Sequence, residues 1–329
     1  MTTIATLLPE AHEPPALPSA PDKSIFDGLR KWYYSIIAAA ALAIPPATSH
    51  AEESVAPVTG SSAADRAPSA VDTTGSLFIA GGGKMSADVY QRFVELAGGQ
   101  NAEYVFIPTA TEKADRPKQE VSLYWEEVRQ YWEGEQALSS VTFLHTRDRA
   151  VADTEEFVLP LRKARAVWIP GGNQSLLTTT YLGTRVQKEL WEVLNRGGVI
   201  GGTSAGAAAV SGVMITGGNP KARYTRGFGF LPAAVIEQHI DTRNRGERFR
   251  GVLQSNPHCL GMGVCEGTVA IIRGTTVSVL GKGSVELRNP VSDKETEEIP
   301  LLNHGEHYDW KALKKKGTPK KDVPKMMAP

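Results

Sequence analysis

Val199-Ile200-Gly201-Gly202-Thr203-Ser204-Ala205-Gly206-Ala207 is the most informative stretch of this chain. An apolar, β-branched run leads into Gly202-Thr203-Ser204-Ala205-Gly206, and small helix-forming residues follow. This is a G-x-S-x-G nucleophile elbow in the context that gives it meaning: strand, sharp turn, helix. The glycines on either side of the serine have no Cβ and let the backbone turn tightly. Such a turn lifts the Ser204 hydroxyl to the start of a helix, where unpaired backbone N–H groups can face an anion. Ser204 is therefore a candidate acyl-transfer nucleophile. The plain alternative is a glycine-rich strand–helix turn without chemistry.

Upstream of the elbow, short apolar runs alternate with helical patterns. Leu77–Ala80, Tyr104–Ile107, Val141–Leu144 and Ala166–Ile169 read as strands. The first ends at Gly81-Gly82-Gly83, and the second and fourth are stopped by Pro108 and Pro170. Ser86 reads as the N-cap of a helix through Ala97, and Gln119–Glu133 and Tyr181–Asn195 have helical spacing. Wholly apolar strands between helices predict an α/β fold, with a mostly parallel central sheet covered by helices on both faces. In such sheets ligands sit at the carboxyl ends of the strands. Three glycine-rich loops fall at those ends: Gly81–Gly83, Gly171-Gly172-Asn173-Gln174 and the elbow. After the elbow the pattern turns to β. Val264, Thr268–Ile272, Thr276–Leu280 and Ser284–Arg288 are expected to complete the sheet edge with antiparallel pairs.

Composition sets the bounds. The chain has 329 residues, 41% hydrophobic and 22% charged, with formal net charge +0, which fits one large globular domain and offers no basic footprint for nucleic acid. Arg30-Lys31, the apolar run Trp32–Ile44 and the small residues Ser49 and Ala51 form an export signal with an A-x-A-like cleavage site. A retained anchor is the competing reading, although the run is short for a bilayer. The preceding Met1–Leu29 is unusual for a signal peptide, being Pro-rich and acidic. The expected organisation is therefore a signal with upstream extension over 1–51, a disordered Ala/Ser/Pro-rich linker over 52–74, a catalytic domain over 75–310 and a basic tail over 311–329. Export permits a disulfide between Cys259 and Cys265, but their close spacing favours two free thiols. Two cysteines do not make a zinc site, no H-E-x-x-H is present, and the first glycine loop lacks G-x-G-x-x-G spacing. No metal and no cofactor are expected.

A serine nucleophile needs a base, and the base needs an orienting group. Five histidines follow the export segment: His145, His239, His258, His304 and His307. His239 stands out within Glu237-Gln238-His239-Ile240-Asp241-Thr242-Arg243-Asn244-Arg245-Gly246-Glu247-Arg248. A base in so basic and polar a stretch suggests a pocket rim for an anionic substrate; a solvated surface turn is the alternative.

Four motifs in order also carry a resemblance. They are Gly171-Gly172-Asn173-Gln174, the elbow Gly202–Ala207, Gln238-His239 with Arg243, Arg245 and Arg248, and Gly261-Met262-Gly263-Val264-Cys265-Glu266-Gly267-Thr268. They resemble the G-G-N-Q loop, the nucleophile motif, the D-Q-H-F-x-x-R-x-R-x-x-R segment and the G-x-G-I-D-E-x-T strand of the cyanophycinase and aspartyl dipeptidase family of serine peptidases. The likeness covers about Gly75 to Leu280. Each motif alone is weak; four in order are specific.

The resemblance implies a class I glutamine amidotransferase-like fold and a triad of Ser204, His239 and Glu266. Gly172 and Ala205 N–H groups would form the oxyanion hole. Gln174, Glu237, Gln238, Arg243, Arg245 and Arg248 would bind substrate. Guanidinium forks suit carboxylates, and Glu237 or another acid would meet a substrate arginine. The family substrate is cyanophycin, multi-L-arginyl-poly-L-aspartate, released as β-aspartyl-arginine. A homodimer is a further implication. The chain departs from the motif at Glu237 for Asp, Ile240 for an aromatic residue, Phe249 for Leu and Cys265 for Asp, which leaves the triad whole and the pocket altered. The expectation is an exported serine peptidase acting on cyanophycin, periplasmic or extracellular. A dipeptidase for aspartyl or isoaspartyl peptides is the alternative within enzymes. A non-catalytic binding protein on the same fold is the reading from another class, and an amidotransferase is disfavoured because Ser204 stands where that chemistry uses cysteine.

Overall fold

The computed structural model describes residues 72–115, 125–292, 295–298 and 301–309. The export segment, the tail and most of the linker expected from the sequence lie outside them. The strands in chain order are β1 (Ser76–Ala80), β2 (Tyr104–Phe106), β3 (Val141–Phe143), β4 (Ala166–Ile169), β5 (Val199–Thr203), β6 (Ser211–Gly217), β7 (Arg223–Arg226), β8 (Leu231–Gln238), β9 (Leu260–Val264), β10 (Thr268–Arg273), β11 (Thr276–Gly281), β12 (Val285–Ser292), β13 (Glu295–Glu298) and β14 (His307–Asp309). The helices are α1 (Ala87–Ala97), α2 (Arg149–Ala152), α3 (Leu159–Lys163), α4 (Gln174–Tyr181), α5 (Arg185–Asn195), α6 (Ala205–Ala209) and α7 (Gly246–Ser255).

The main sheet has the order β14-β11-β10-β1-β5-β4-β2-β3. Its parallel part joins β1, β5, β4, β2 and β3, the five strands expected from the apolar runs. Alternation along these strands divides the core in two. Leu77, Ile79, Val167, Ile169 and Ile200 face one side, with α4, α5 and α6. Phe78, Trp168 and Phe106 face the other, against Val89 and Phe93 of α1 and against Trp132. Phe93 meets Trp168 edge-on at 5.1 Å between centroids and Phe78 at 5.4 Å, contacts worth about 0.5–1.5 kcal/mol each beyond their buried area.

The helices follow their sequence signals. In α5, Val186, Leu190, Val193 and Leu194 are buried, a stripe at the helical repeat. Ser86 is the N-cap residue of α1, and Gly98 closes it in the left-handed conformation. The segment expected as one helix over Tyr181–Asn195 is two. Helix α4 stops at Tyr181, and Gly183, at φ +78°, turns the chain into α5. Of the helix expected over Gln119–Glu133, residues 119–124 lie outside the description; 125–129 are helical and run into a π-helical turn, Gln130–Glu135, that buries Trp132.

The strands after the elbow divide between two sheets, which corrects the expected edge completion. β10 and β11 do extend the main sheet antiparallel beyond β1. β9 and β12, however, belong to a second sheet of order β13-β12-β9-β8-β6-β7. Ile236 and Met262 of that sheet share the core of Leu77 and Ile79, so a sheet as well as helices covers this part of the molecule. The outer side of the second sheet packs Val213, Val235, Phe249, Val252 and Cys259 together. Cys259 and Cys265 are free thiols, and burial pushes the Cys259 thiol up to about 11.

Candidate active site

The three glycine-rich loops follow β1, β5 and β4, and β5 pairs with both of the others. They therefore meet at one end of the sheet. In the second sheet β8 and β9 run parallel as neighbours, with Gln238 opposite Val264. His239 and Glu266 leave the carboxyl ends of these two strands.

The elbow strain sits on the serine itself, at φ +51° and ψ −108°, a conformation that costs on the order of 1–3 kcal/mol. The flanking glycines serve close approach instead. A Cβ on Gly202 would lie 2.4 Å from the Gly206 carbonyl carbon, and one on Gly206 would lie 2.1 Å from the Ile169 oxygen.

Three successive carbonyls at the end of β1 hold the site together. Ala80 O accepts the Ser204 N–H at 3.1 Å, Gly81 O the His239 N–H at 2.9 Å, and Gly82 O the Gly267 N–H at 2.7 Å. His239 itself adopts φ +55°. Its Nε2 lies 2.8 Å from Ser204 Oγ, and its Nδ1 lies 2.5 Å from Glu266 Oε1. An ionised carboxylate only accepts, so Nδ1 carries the proton and Nε2 is left to accept from the serine hydroxyl. Burial and the nearby Arg243 guanidinium pull the His239 pKa down to about 4, against the hydrogen bond and charge of Glu266. Burial alone would raise the Glu266 carboxyl. The hydrogen bonds from His239 and Thr242 outweigh it and hold the group below the usual range. A neutral imidazole between a hydroxyl and a carboxylate can take the hydroxyl proton as that oxygen attacks a carbonyl.

Gly171 lies against the nucleophile, since a Cβ there would be 3.3 Å from Ser204 Cβ. Among the described residues, no protein acceptor takes the N–H of Gly172 or of Ala205.

The residues expected to bind substrate divide sharply. Glu237 is fully buried and Arg248 is 6% exposed. Arg248 donates from Nε and Nη2 to the two Glu237 oxygens, both at 2.7 Å, and from Nη1 to Gly218 O. Neither side chain keeps a face for substrate, which corrects that expectation: a buried ion pair holds only if both partners are satisfied, and here they satisfy each other. Arg245 donates to Gln238 O at 2.9 Å, and burial followed by repulsion from Arg248 lowers its pKa to about 10. Gln174 donates to Ile215 O at 2.6 Å, bridging to β6. Arg243 is half-buried and forms no side-chain hydrogen bond or ion pair with a described residue. Gln238 is buried, and its Oε1 has no hydrogen-bond partner among the described residues. Of the altered positions, Phe249 and Ile240 pack into the outer core of the second sheet, with Ile240 over Gly263.

Sequence reasoning missed Asp241 and Thr242. Asp241 Oδ1 accepts the Glu266 N–H at 3.0 Å, and Thr242 Oγ1 donates to Glu266 Oε1 at 3.0 Å. Their partner lies 25 and 24 residues away, so no local pattern marks them.

The family model described as peptidase family S51 matches residues 77–280. The chain is 32% identical over 210 residues to a cyanophycinase of Synechococcus elongatus, covering 60% of this chain and 62% of that one. It is 28% identical over 253 residues to a cyanophycinase of Geminocystis herdmanii (strain PCC 6308), covering 68% and 88%. The match thus spans somewhat less than two thirds of the Synechococcus protein. A solved peptidase from an acI-B1 Actinobacterium superposes with TM-score 0.57 at 21% identity, over 72% of this chain and 97% of that one. The fold is the class I glutamine amidotransferase-like one expected from the sequence.

Proposed function

The chain belongs to peptidase family S51, and from that premise we propose that it is an exported serine peptidase that hydrolyses cyanophycin to β-aspartyl-arginine. The observation that carries this reading is the unbroken line from Ser204 Oγ through His239 to Glu266, with contacts of 2.8 and 2.5 Å. Ser204 Oγ attacks the backbone carbonyl between two aspartyl residues while His239 Nε2 takes the hydroxyl proton. The oxyanion that forms is held by the N–H groups of Ala205 and Gly172. His239 then returns the proton to the leaving amine, and the C–N bond breaks. Water, activated by the same nitrogen, releases the acyl group from Ser204. Glu266 keeps the ring oriented and stabilises its charged form throughout.

Of the three arginines, only Arg243 makes no side-chain hydrogen bond or ion pair with a described residue, which leaves its guanidinium to hold a substrate carboxylate. Export rests on Arg30–Ala51, and N-terminal sequencing of protein from its native source is expected to begin near Glu52.

A second reading has one specific observation behind it. Glu237, the one acid named as expected to meet the substrate arginine where another acid could also serve, is fully buried on Arg248. A dipeptidase for aspartyl or isoaspartyl peptides needs no such acid. The two separate when purified protein is incubated with cyanophycin and, in parallel, with α- and β-aspartyl peptides lacking arginine, and products are read by mass spectrometry. Cyanophycin cleavage that disappears in Ser204→Ala supports the first reading. Cleavage of the arginine-free peptides alone replaces it with the second. Cleavage that survives in Ser204→Ala overturns the serine mechanism.

A further inference from the structure

A second hydroxyl–imidazole–carboxylate line lies outside the site described above. Thr109 follows β2 in a tight turn, Pro108–Ala110, and is fully buried. Its Oγ1 is 3.0 Å from His145 Nδ1 and 2.6 Å from the Tyr181 hydroxyl. His145 Nε2 is in turn 3.1 Å from Asp115 Oδ1. Arg147 closes the loop. It forks onto the Asp115 carboxylate, with Nη2 to Oδ2 at 2.6 Å, and also donates to the Thr109 and Thr111 carbonyl oxygens. The hydroxyl of Thr109 is sealed from solvent by Tyr181, so this is not a second nucleophile.

What the network holds is the turn between those two carbonyls. Ala110, between Thr109 and Thr111, turns its own carbonyl toward the glycine loop after β4. Ala110 O accepts the Asn173 N–H at 2.8 Å. A Cβ on Gly172 would stand 2.1 Å from the same oxygen. Asn173 also caps α4, its Oδ1 accepting the Ser175 N–H at 2.9 Å. The Gly172 backbone is thus clamped between α4 and the 108–115 turn, and the far side of that turn is held by Thr109, His145, Asp115 and Arg147.

We propose that Thr109, His145, Asp115 and Arg147 are positioning residues for the oxyanion hole. Through Ala110 they set where the Gly172 N–H points. The proposal rests on the serine-peptidase reading, in which that N–H stabilises the tetrahedral intermediate. Its consequence is specific: loosening the network lowers the rate of steps that place negative charge beside Gly172 and leaves substrate capture alone.

The test uses the full chain and a fluorophosphonate probe. Ser204 Oγ bonds to phosphorus as His239 Nε2 takes the hydroxyl proton, the P–F bond breaks and fluoride leaves, with the phosphoryl oxygen facing the oxyanion donors. Thr109→Val keeps the shape of the side chain and removes its hydroxyl. Losing a whole oxyanion donor costs about a hundredfold to a thousandfold, so a misplaced donor is expected to slow labelling of folded protein by about tenfold to a hundredfold. For cyanophycin, kcat per titrated site falls while KM stays within about twofold, and Thr109→Ser restores kcat and the labelling rate. A merely structural role would lower the melting temperature without changing the rate per folded site. Labelling of Thr109→Val at the wild-type rate overturns the proposal. If Thr109→Val does not fold, Asp115→Asn at the half-exposed end of the network serves the same test: slower labelling supports the proposal, and an unchanged rate overturns it. Wild-type protein that takes no probe at Ser204 sinks the serine-peptidase reading and this proposal together, whereas normal wild-type labelling with an unaffected variant sinks this proposal alone.

Discussion

Gly82 and His239 meet so closely that no side chain fits between them: a Cβ on Gly82 would lie 2.0 Å from Cε1 of the imidazole. The backbone there has φ +110°, which L residues with a side chain rarely adopt. The glycine run after β1, which lacks the spacing of a dinucleotide-binding loop, is a bed for the ring. Gly82→Ala is expected to displace the imidazole from Ser204 and to lower kcat/KM by about a hundredfold, the scale of a misplacement near 1 Å. It should also cost about 1–3 kcal/mol of stability through backbone strain. Steady-state kinetics and denaturant unfolding of the variant check both, and near-normal activity would refute the assignment of His239 as base.

The pH dependence follows from the depressed His239. Burial first and Arg243 second hold its pKa at about 4, below the ordinary 6.5. The base stays neutral well into the acid range, so the acid limb of kcat/KM is expected below pH 6.5 and toward 4. Arg243→Gln removes a positive neighbour, raises the His239 pKa and moves that limb to higher pH. Stability carries the same sign. The unfolded chain binds this proton between pH 6.5 and 4 and the folded one does not, so the folded state loses stability as pH falls through that window. A pH–rate profile of the two proteins provides the measurement.

Glu237 and Arg248 form a buried unit, and breaking it should be felt as stability rather than recognition. Glu237→Ala leaves Arg248 unpaired in the interior and is expected to cost about 3–5 kcal/mol. Glu237→Asp draws the carboxylate back by one methylene and opens the fork. Its melting temperature should fall while KM stays within about twofold of wild type. A large change in KM with unchanged stability would return Glu237 to the substrate site.

Thr242 acts on the triad acid. Thr242→Val removes a hydrogen bond to Glu266 Oε1, worth about 0.5–1.5 kcal/mol. The expected result is a fall in kcat of about threefold to tenfold with KM unchanged. Thr242 is exposed, so thermal stability should move little. A melting curve beside the kinetics separates the two effects.

Much of the main sheet was legible in the sequence because its signals are local. An apolar run between a helix stop and a glycine or proline specifies a buried strand, whatever lies elsewhere in the chain. The elbow was legible for the same reason: Gly202, Ser204 and Gly206 shape a single turn. His239 stood out by its basic, polar surroundings, whereas Glu266 entered only through resemblance. His239 sits 35 positions after Ser204, and Glu266 lies 27 positions beyond His239, separations that no periodicity spans.

Val264 of β9 and the run Ser284–Arg288, most of it in β12, were read as strand and assigned to the wrong sheet. Strand character is written in alternating burial, whereas the partner of an edge is chosen by packing across the whole core. Charge behaved in the same way. Sequence marked Glu237, Arg243, Arg245 and Arg248 as one basic, polar segment facing an anion. Folding buried Glu237 with Arg248, turned Arg245 onto Gln238 O and Glu237 Oε1, and left Arg243 without a side-chain hydrogen bond or ion pair among the described residues, because the packing of α7 against β8 decides which side chains face inward. By itself, then, the sequence determined the local backbone: the strands, the elbow and the position of the nucleophile. Tertiary structure alone decided which distant groups complete the site, since a hydrogen bond depends on where two atoms lie in space and not on how the chain between them reads.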